Sequence, residues 1–75
     1  MSSAFVLLNT EAAAEEKVLD RLRRLENVSE AYVSFGVHDI IAKIETDSMD
    51  STKKTISKIR RIQQIKSTVT LIICK

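Results

Sequence analysis

Residues Ala31-Tyr32-Val33-Ser34-Phe35-Gly36-Val37-His38-Asp39-Ile40-Ile41-Ala42-Lys43-Ile44 occupy the centre of the chain, and their alternation decides the fold. Ala31, Val33 and Phe35 alternate with Glu30, Tyr32 and Ser34; beyond Gly36-Val37-His38-Asp39, Ile40, Ala42 and Ile44 alternate with Ile41, Lys43 and Glu45. A period of two belongs to strands with unlike faces. The only glycine of the chain, Gly36, lies between the two runs, where a tight turn needs a residue tolerant of positive φ. The stretch predicts an antiparallel hairpin.

Outward from this hairpin the chain repeats itself. Leu19, Leu22, Leu25 and Val28 are matched, at one constant offset, by Ile56, Ile59, Ile62 and Ile65. Each set reads as the buried stripe of a helix running into the start of a strand. On the N-terminal side, Ala4 to Asn9 is an apolar run that predicts a strand, with Asn9-Thr10 as a helix-capping signal and Glu11 in the first helical turn. A helix is expected from Ala12 to about Leu25, with Ala14, Val18, Leu19, Leu22 and Leu25 facing inward. On the C-terminal side, Thr46-Asp47-Ser48 offers N-caps for a helix from about Met49 to Ile62, its stripe being Met49, Thr52, Ile56, Ile59 and Ile62. A last strand, Ser67 to Cys74, alternates Ser67, Val69, Leu71 and Ile73 with Thr68, Thr70, Ile72 and Cys74. The predicted order is βαββαβ. Right-handed crossovers put both helices on one face of a four-stranded antiparallel sheet, the α+β ferredoxin-like arrangement.

Two strands are apolar on both sides, Phe5 and Leu7 opposing Ala4, Val6 and Leu8, and Ile72 opposing Leu71 and Ile73. Helices cover one face only, so the first and last strands, with Tyr32 and Ile41, should form an apolar patch on the other. A two-fold, sheet-to-sheet homodimer would bury it. Length points the same way: 75 residues suffice for a single domain, 1–75, which buries a small fraction of its surface alone.

Composition narrows the function. A net charge of +2 does not by itself demand a nucleic-acid partner. The second helix has a basic side on which Lys54, Lys58 and Arg61 align, read either as a solvated face or as a contact for phosphate or an acidic partner. No apolar run approaches the roughly 20 residues that cross a bilayer, and the first stretch lacks the flanks of a signal peptide, so a cytoplasmic location is expected. Cys74 stands alone and reads as a small hydrophobe on the last strand. His38 is the sole histidine; no nucleophile, base and orienting group converge, no spacing suits a metal, and one glycine makes no phosphate loop, so neither catalysis nor a cofactor is expected. Phe5, Tyr32 and Phe35 are too few, and wrongly patterned, for base stacking on RNA, and the chain has no room for a helix-turn-helix that would read DNA.

What remains is the turn Gly36-Val37-His38-Asp39 and the hydroxyls of Ser67, Thr68 and Thr70. A carboxylate that accepts from an ammonium, with hydroxyls and turn amides for a carboxylate, is the pairing an amino-acid ligand requires. The other reading is that Asp39 closes its own turn and the threonines fill a strand.

Phe5-Val6-Leu7-Leu8-Asn9-Thr10, Leu25-x-x-Val28-x-x-Ala31-Tyr32, Gly36-x-x-Asp39-Ile40-Ile41-Ala42-Lys43-Ile44 and Ser67-Thr68-x-Thr70-Leu71-Ile72 together resemble the RAM domain. This is the C-terminal effector-binding module of the Lrp/AsnC regulators, here in the manner of stand-alone members without the DNA-binding helix-turn-helix. The resemblance implies a dimer that assembles into larger rings, with an amino-acid effector held between dimers near the Gly-x-x-Asp hairpin. By position it assigns Gly36 and Asp39 to that site, with Tyr32 beside them, Ser67, Thr68 and Thr70 on the last strand, and His38 where the family often has an aromatic residue. Gln63-Gln64 replaces a Pro-Gly pair common before the last strand. A small-molecule-responsive module of this kind would engage a full-length Lrp/AsnC-type regulator or a metabolic enzyme, and so modulate transcription or amino-acid metabolism. The different function this leaves open is a ligand-independent subunit of mixed assemblies. An acylphosphatase-type enzyme shares the strand and helix order but would need an arginine near the first strand, and Met1 to Thr10 has none.

Overall fold

A computed structural model describes residues 2–73 of the chain; the expectation for Cys74 lies outside them. The elements run β1 (Ser2–Thr10), α1 (Glu15–Arg23), β2 (Val28–Val33), β3 (Ile40–Thr46), α2 (Met49–Arg60) and β4 (Ile65–Ile73). All neighbouring strands are antiparallel, in the order β2-β3-β1-β4, so the expected βαββαβ sheet forms with β1 and β3 at its centre.

Alternation sorts the two faces. Ala4, Val6 and Leu8 of β1 and Ile40, Ala42 and Ile44 of β3 are fully buried, or nearly so, beneath Val18, Leu19 and Leu22 of α1 and Ile56 and Ile59 of α2. Each large aliphatic side chain in this layer contributes roughly 1.5–3 kcal/mol by leaving water. The other face carries Phe5, Leu7, Ile41, Tyr32, Val69, Leu71 and Ile73, half-buried or exposed, with no element over it.

The two halves close in the same way. Arg24 and Arg61 are the C-caps, their N–H groups donating back to Arg21 and Lys58 at 3.3 and 3.2 Å, and β2 and β4 begin four residues after each cap. They open differently. Ser48 caps α2, its hydroxyl accepting from the Ser51 N–H at 3.2 Å. α1 does not begin at Ala12, and Asn9-Thr10 does not cap it: the N-cap is Ala14, with no side-chain hydrogen bond. At the repeat offset Glu11 stands where Ser48 caps α2, and the would-be first helical turn is spent on Glu11-Ala12-Ala13, with Ala13 at φ 62°. The acids of the first turn of α1 are consequently Glu15 and Glu16, not Glu11.

Two smaller departures concern β2 and α2. β2 has an irregularity between Val28 and Glu30 and ends at Val33, so Val33 is exposed and Phe35 lies wholly in solvent on the loop. Met49, at the start of the α2 stripe, is exposed; Thr52 is fully buried there, its hydroxyl 2.7 Å from that of Thr46 and 2.9 Å from that of Ser2.

Candidate functional site

The loop between β2 and β3 is anchored at one residue, Asp39. Its N–H donates to the Leu8 carbonyl at 2.9 Å and to Asn9 Oδ1 at 3.2 Å, and its carbonyl accepts from the Ser34 N–H at 2.8 Å. Its carboxylate Oδ2 accepts from the Thr10 N–H at 2.9 Å and faces the Thr10 hydroxyl at 3.5 Å. The Asp39 backbone closes its own loop, but its side chain does not. It ties the loop to the end of the central strand, and among the described residues its second oxygen, Oδ1, has no hydrogen-bond partner.

Asn9 extends this arrangement across the sheet, its Nδ2 donating to Ser67 Oγ at 3.3 Å. Asp39 and Ser67 thus belong to one polar cluster, joined by Asn9, which the sequence pattern offers as a helix cap. The register Asn9↔Ser67 and Leu7↔Val69 puts Ser67 on the open face of the sheet. Thr68 and Thr70 pair with Leu8 and Val6, whose side chains are in the core, so both threonines lie on the helix face. The structure brings Ser67 to Asp39 and leaves Thr68 and Thr70 behind the sheet.

Gly36 occupies the loop at φ 150°, with nothing within 4 Å of where a Cβ would be. Space does not require glycine there; backbone conformation does. His38 is half-buried, and its Nδ1 is enclosed without a hydrogen-bond partner. Phe35 and Val37 project into solvent on either side of Gly36.

Tyr32 stands on the open face, paired across the ladder with Ile41. Its hydroxyl donates to Glu30 Oε1 at 2.8 Å, and this hydrogen bond, reinforced by the carboxylate's charge, raises the phenol's pKa. Phe5, Glu30, Tyr32, Ile41 and Lys43 line a shallow hollow of about 230 Å³, with the Lys43 ammonium 5.8 Å from the centre of the Phe5 ring. No group of three or more histidine, cysteine or acidic side chains suited to a metal occurs among the described residues, nor is any helix there long and apolar enough to cross a membrane.

Comparison with known proteins places these features in a wider set. Residues 3–75 match the family model described as the Lrp/AsnC ligand binding domain. The HTH-type transcriptional regulator FL11 of Pyrococcus abyssi is 28% identical over 96% of this chain, which spans only 48% of the regulator. The crystal structure of FFRP-DM1 superposes with a TM-score of 0.93 at 39% identity, covering 99% of this chain and 100% of its own. The regulator NMB0573 of Neisseria meningitidis, solved as a complex with L-Met, shares the fold at a TM-score of 0.84, with 14% identity over 99% of this chain and 50% of its own.

Proposed function

We propose, from the premise that this chain belongs to the Lrp/AsnC ligand-binding domain family, that it is a regulatory module which takes up an amino-acid effector beside the β2–β3 loop and responds by changing its state of assembly. The observation that carries this reading is Asp39, a carboxylate whose position is fixed through Oδ2 while Oδ1 is left to accept from an ammonium. Loop amides and the hydroxyl of Ser67, which Asn9 ties to the loop, would be the donors to the effector's α-carboxylate. The L-Met in NMB0573, a protein of the same fold, is a ligand of this class.

Assembly follows from the surfaces. The open face, with Leu7, Ile41 and Leu71 at its centre, is covered by the same face of a second copy in a two-fold dimer. Phe35 and Val37 then supply apolar contacts for a further dimer, with the effector between. An effector shifts that equilibrium only as far as it prefers one assembly over the other. Mixed assembly with a full-length Lrp/AsnC regulator is the route by which the response would reach transcription.

The test is light scattering coupled to size exclusion, with calorimetry, in the presence of each of the twenty amino acids at millimolar concentration. One amino acid should change the mass and release or absorb heat. Asp39→Asn keeps an acceptor for Thr10 but loses the charge, and should weaken binding by about 10- to 100-fold, the equivalent of about 1.5–3 kcal/mol for a hydrogen bond to a charged group. Unchanged mass and absent heat with all twenty would leave the ligand-independent subunit of mixed assemblies as the function.

A further inference from the structure

The two helices are repeats of one another, and their solvent faces differ in a directed way. At the offset that equates Leu22 with Ile59, the outward positions of α1 are Glu16, Lys17, Asp20, Arg21, Arg23 and Arg24; those of α2 and its cap are Lys53, Lys54, Ser57, Lys58, Arg60 and Arg61. Every cation of α1 is kept, while Glu16 becomes Lys53 and Asp20 becomes Ser57. On α1 two of the four cations have partners, Arg24 pairing with Asp20 at 3.0 Å and Arg23 donating to the Ala31 carbonyl at 2.8 Å. Among the described residues none of the five cations of α2 is in an ion pair or donates a side-chain hydrogen bond.

Between α2 and β4 this basic face descends into a cleft of about 280 Å³ lined by Lys53, Ile56, Ser57, Arg60, Thr70 and Ile72. Thr70 Oγ1, at this cleft, is buried without a hydrogen-bond partner. An orphaned buried hydroxyl costs about 1–3 kcal/mol until something satisfies it, and a step of about 120° about χ1 would carry it to another staggered position on this cleft-lining side chain. Two cations, a serine hydroxyl and Thr70, with its unsatisfied hydroxyl just beneath the surface, thus border one concavity whose remaining walls are the side chains of Ile56 and Ile72.

We infer that the α2–β4 cleft binds a phosphate monoester carrying an apolar or aromatic body. The phosphoryl group lies between the Lys53 ammonium and the Arg60 guanidinium, accepting from Ser57 and Thr70, and the body lies against Ile56 and Ile72. A long polyanion would use the outer row Lys54, Lys58 and Arg61 and would need neither the cleft nor Thr70. The site lies behind the sheet from the open-face Asn9–Ser67 cluster and does not depend on the amino-acid reading.

The probes are adenosine monophosphate, inorganic phosphate and a short DNA duplex, each titrated into ¹⁵N-labelled full-length chain at low and at physiological salt. Adenosine monophosphate should shift the amides of Ser57, Arg60, Thr70 and Ile72 saturably, and inorganic phosphate the same subset more weakly. Lys53→Glu with Ser57→Asp, which gives exposed positions of α2 the residues of α1, should leave the spectrum folded and weaken binding at least tenfold. Thr70→Val removes only the hydroxyl and should weaken it several-fold. The inference is overturned by no saturable shift at millimolar ligand, by equal affinity in these variants, or by shifts with the duplex alone confined to Lys54, Lys58 and Arg61.

Discussion

The first and second halves of this chain end their helices alike and begin them differently. Arg24 and Arg61 close α1 and α2 with equivalent hydrogen bonds, and Leu22 and Ile59 are both fully buried at equivalent places. At the other end the second half has Ser48 and an uninterrupted α2 of 12 residues, while the first has Ala14, a strained Ala13 and an α1 of 9. The shared part packs the sheet. The divergent part bears on the site, because the strand end that fails to cap α1 is what holds Asp39: Thr10 donates to the carboxylate and Asn9 accepts from the backbone. A repeat can spare its helix cap where the freed polar groups are needed for a loop.

If the halves are equivalent in packing, Leu22→Ala and Ile59→Ala should each cost about 2–5 kcal/mol, the usual range for emptying a tight core position. Denaturant unfolding at one fixed chain concentration, which holds any assembly constant, would show it; a loss confined to one half would break the equivalence. The difference in helix starts predicts effects of opposite sign. Ala13→Gly relieves a left-handed residue and should stabilise by about 1 kcal/mol, whereas Asp50→Gly, at the repeat-equivalent place inside α2, should destabilise by about as much. Thermal unfolding of the two variants in parallel would sharpen the contrast, and equal signs would refute it.

The smallest effect is expected on the open face. Hydrogen bonding to Glu30 raises the pKa of Tyr32 above its ordinary value of 10.0, so the neutral phenol is the form the fold favours. Whatever stability the contact gives is present below the ordinary pKa and is lost as pH rises through the higher one. Ultraviolet titration should find the tyrosinate midpoint above that of Glu30→Gln; coincident midpoints would remove the contact from the account.

Much of this was legible because it is periodic. Alternation around Gly36 gave the hairpin, the Leu and Ile stripes gave two helices, and double-sided apolarity of β1 and β4 gave a sheet with one uncovered face. The missing pieces are set by pairing between distant segments. Asn9 and Thr10 are sound cap residues in isolation; only the register that places Asp39 beside Leu8 turns them toward the loop. The hydroxyls of the last strand show the opposite case. Their alternation already separates Ser67 from Thr68 and Thr70, and the helices decide which side each occupies. Neither the late start of α1 at Glu15 nor the unpartnered Thr70 hydroxyl leaves a signal in composition.

The central place of β1 also governs how the molecule must come together. Its partners are remote along the chain: Val6 lies beside Ala42 on one side and Thr70 on the other. The β2–β3 hairpin can zip from its own loop, but both ladders of β1 require large loops to close first, and loop closure is paid in entropy before contacts return it. The sheet therefore assembles around its first strand late, and sequence-remote contacts, not the local hairpin, set its folding barrier.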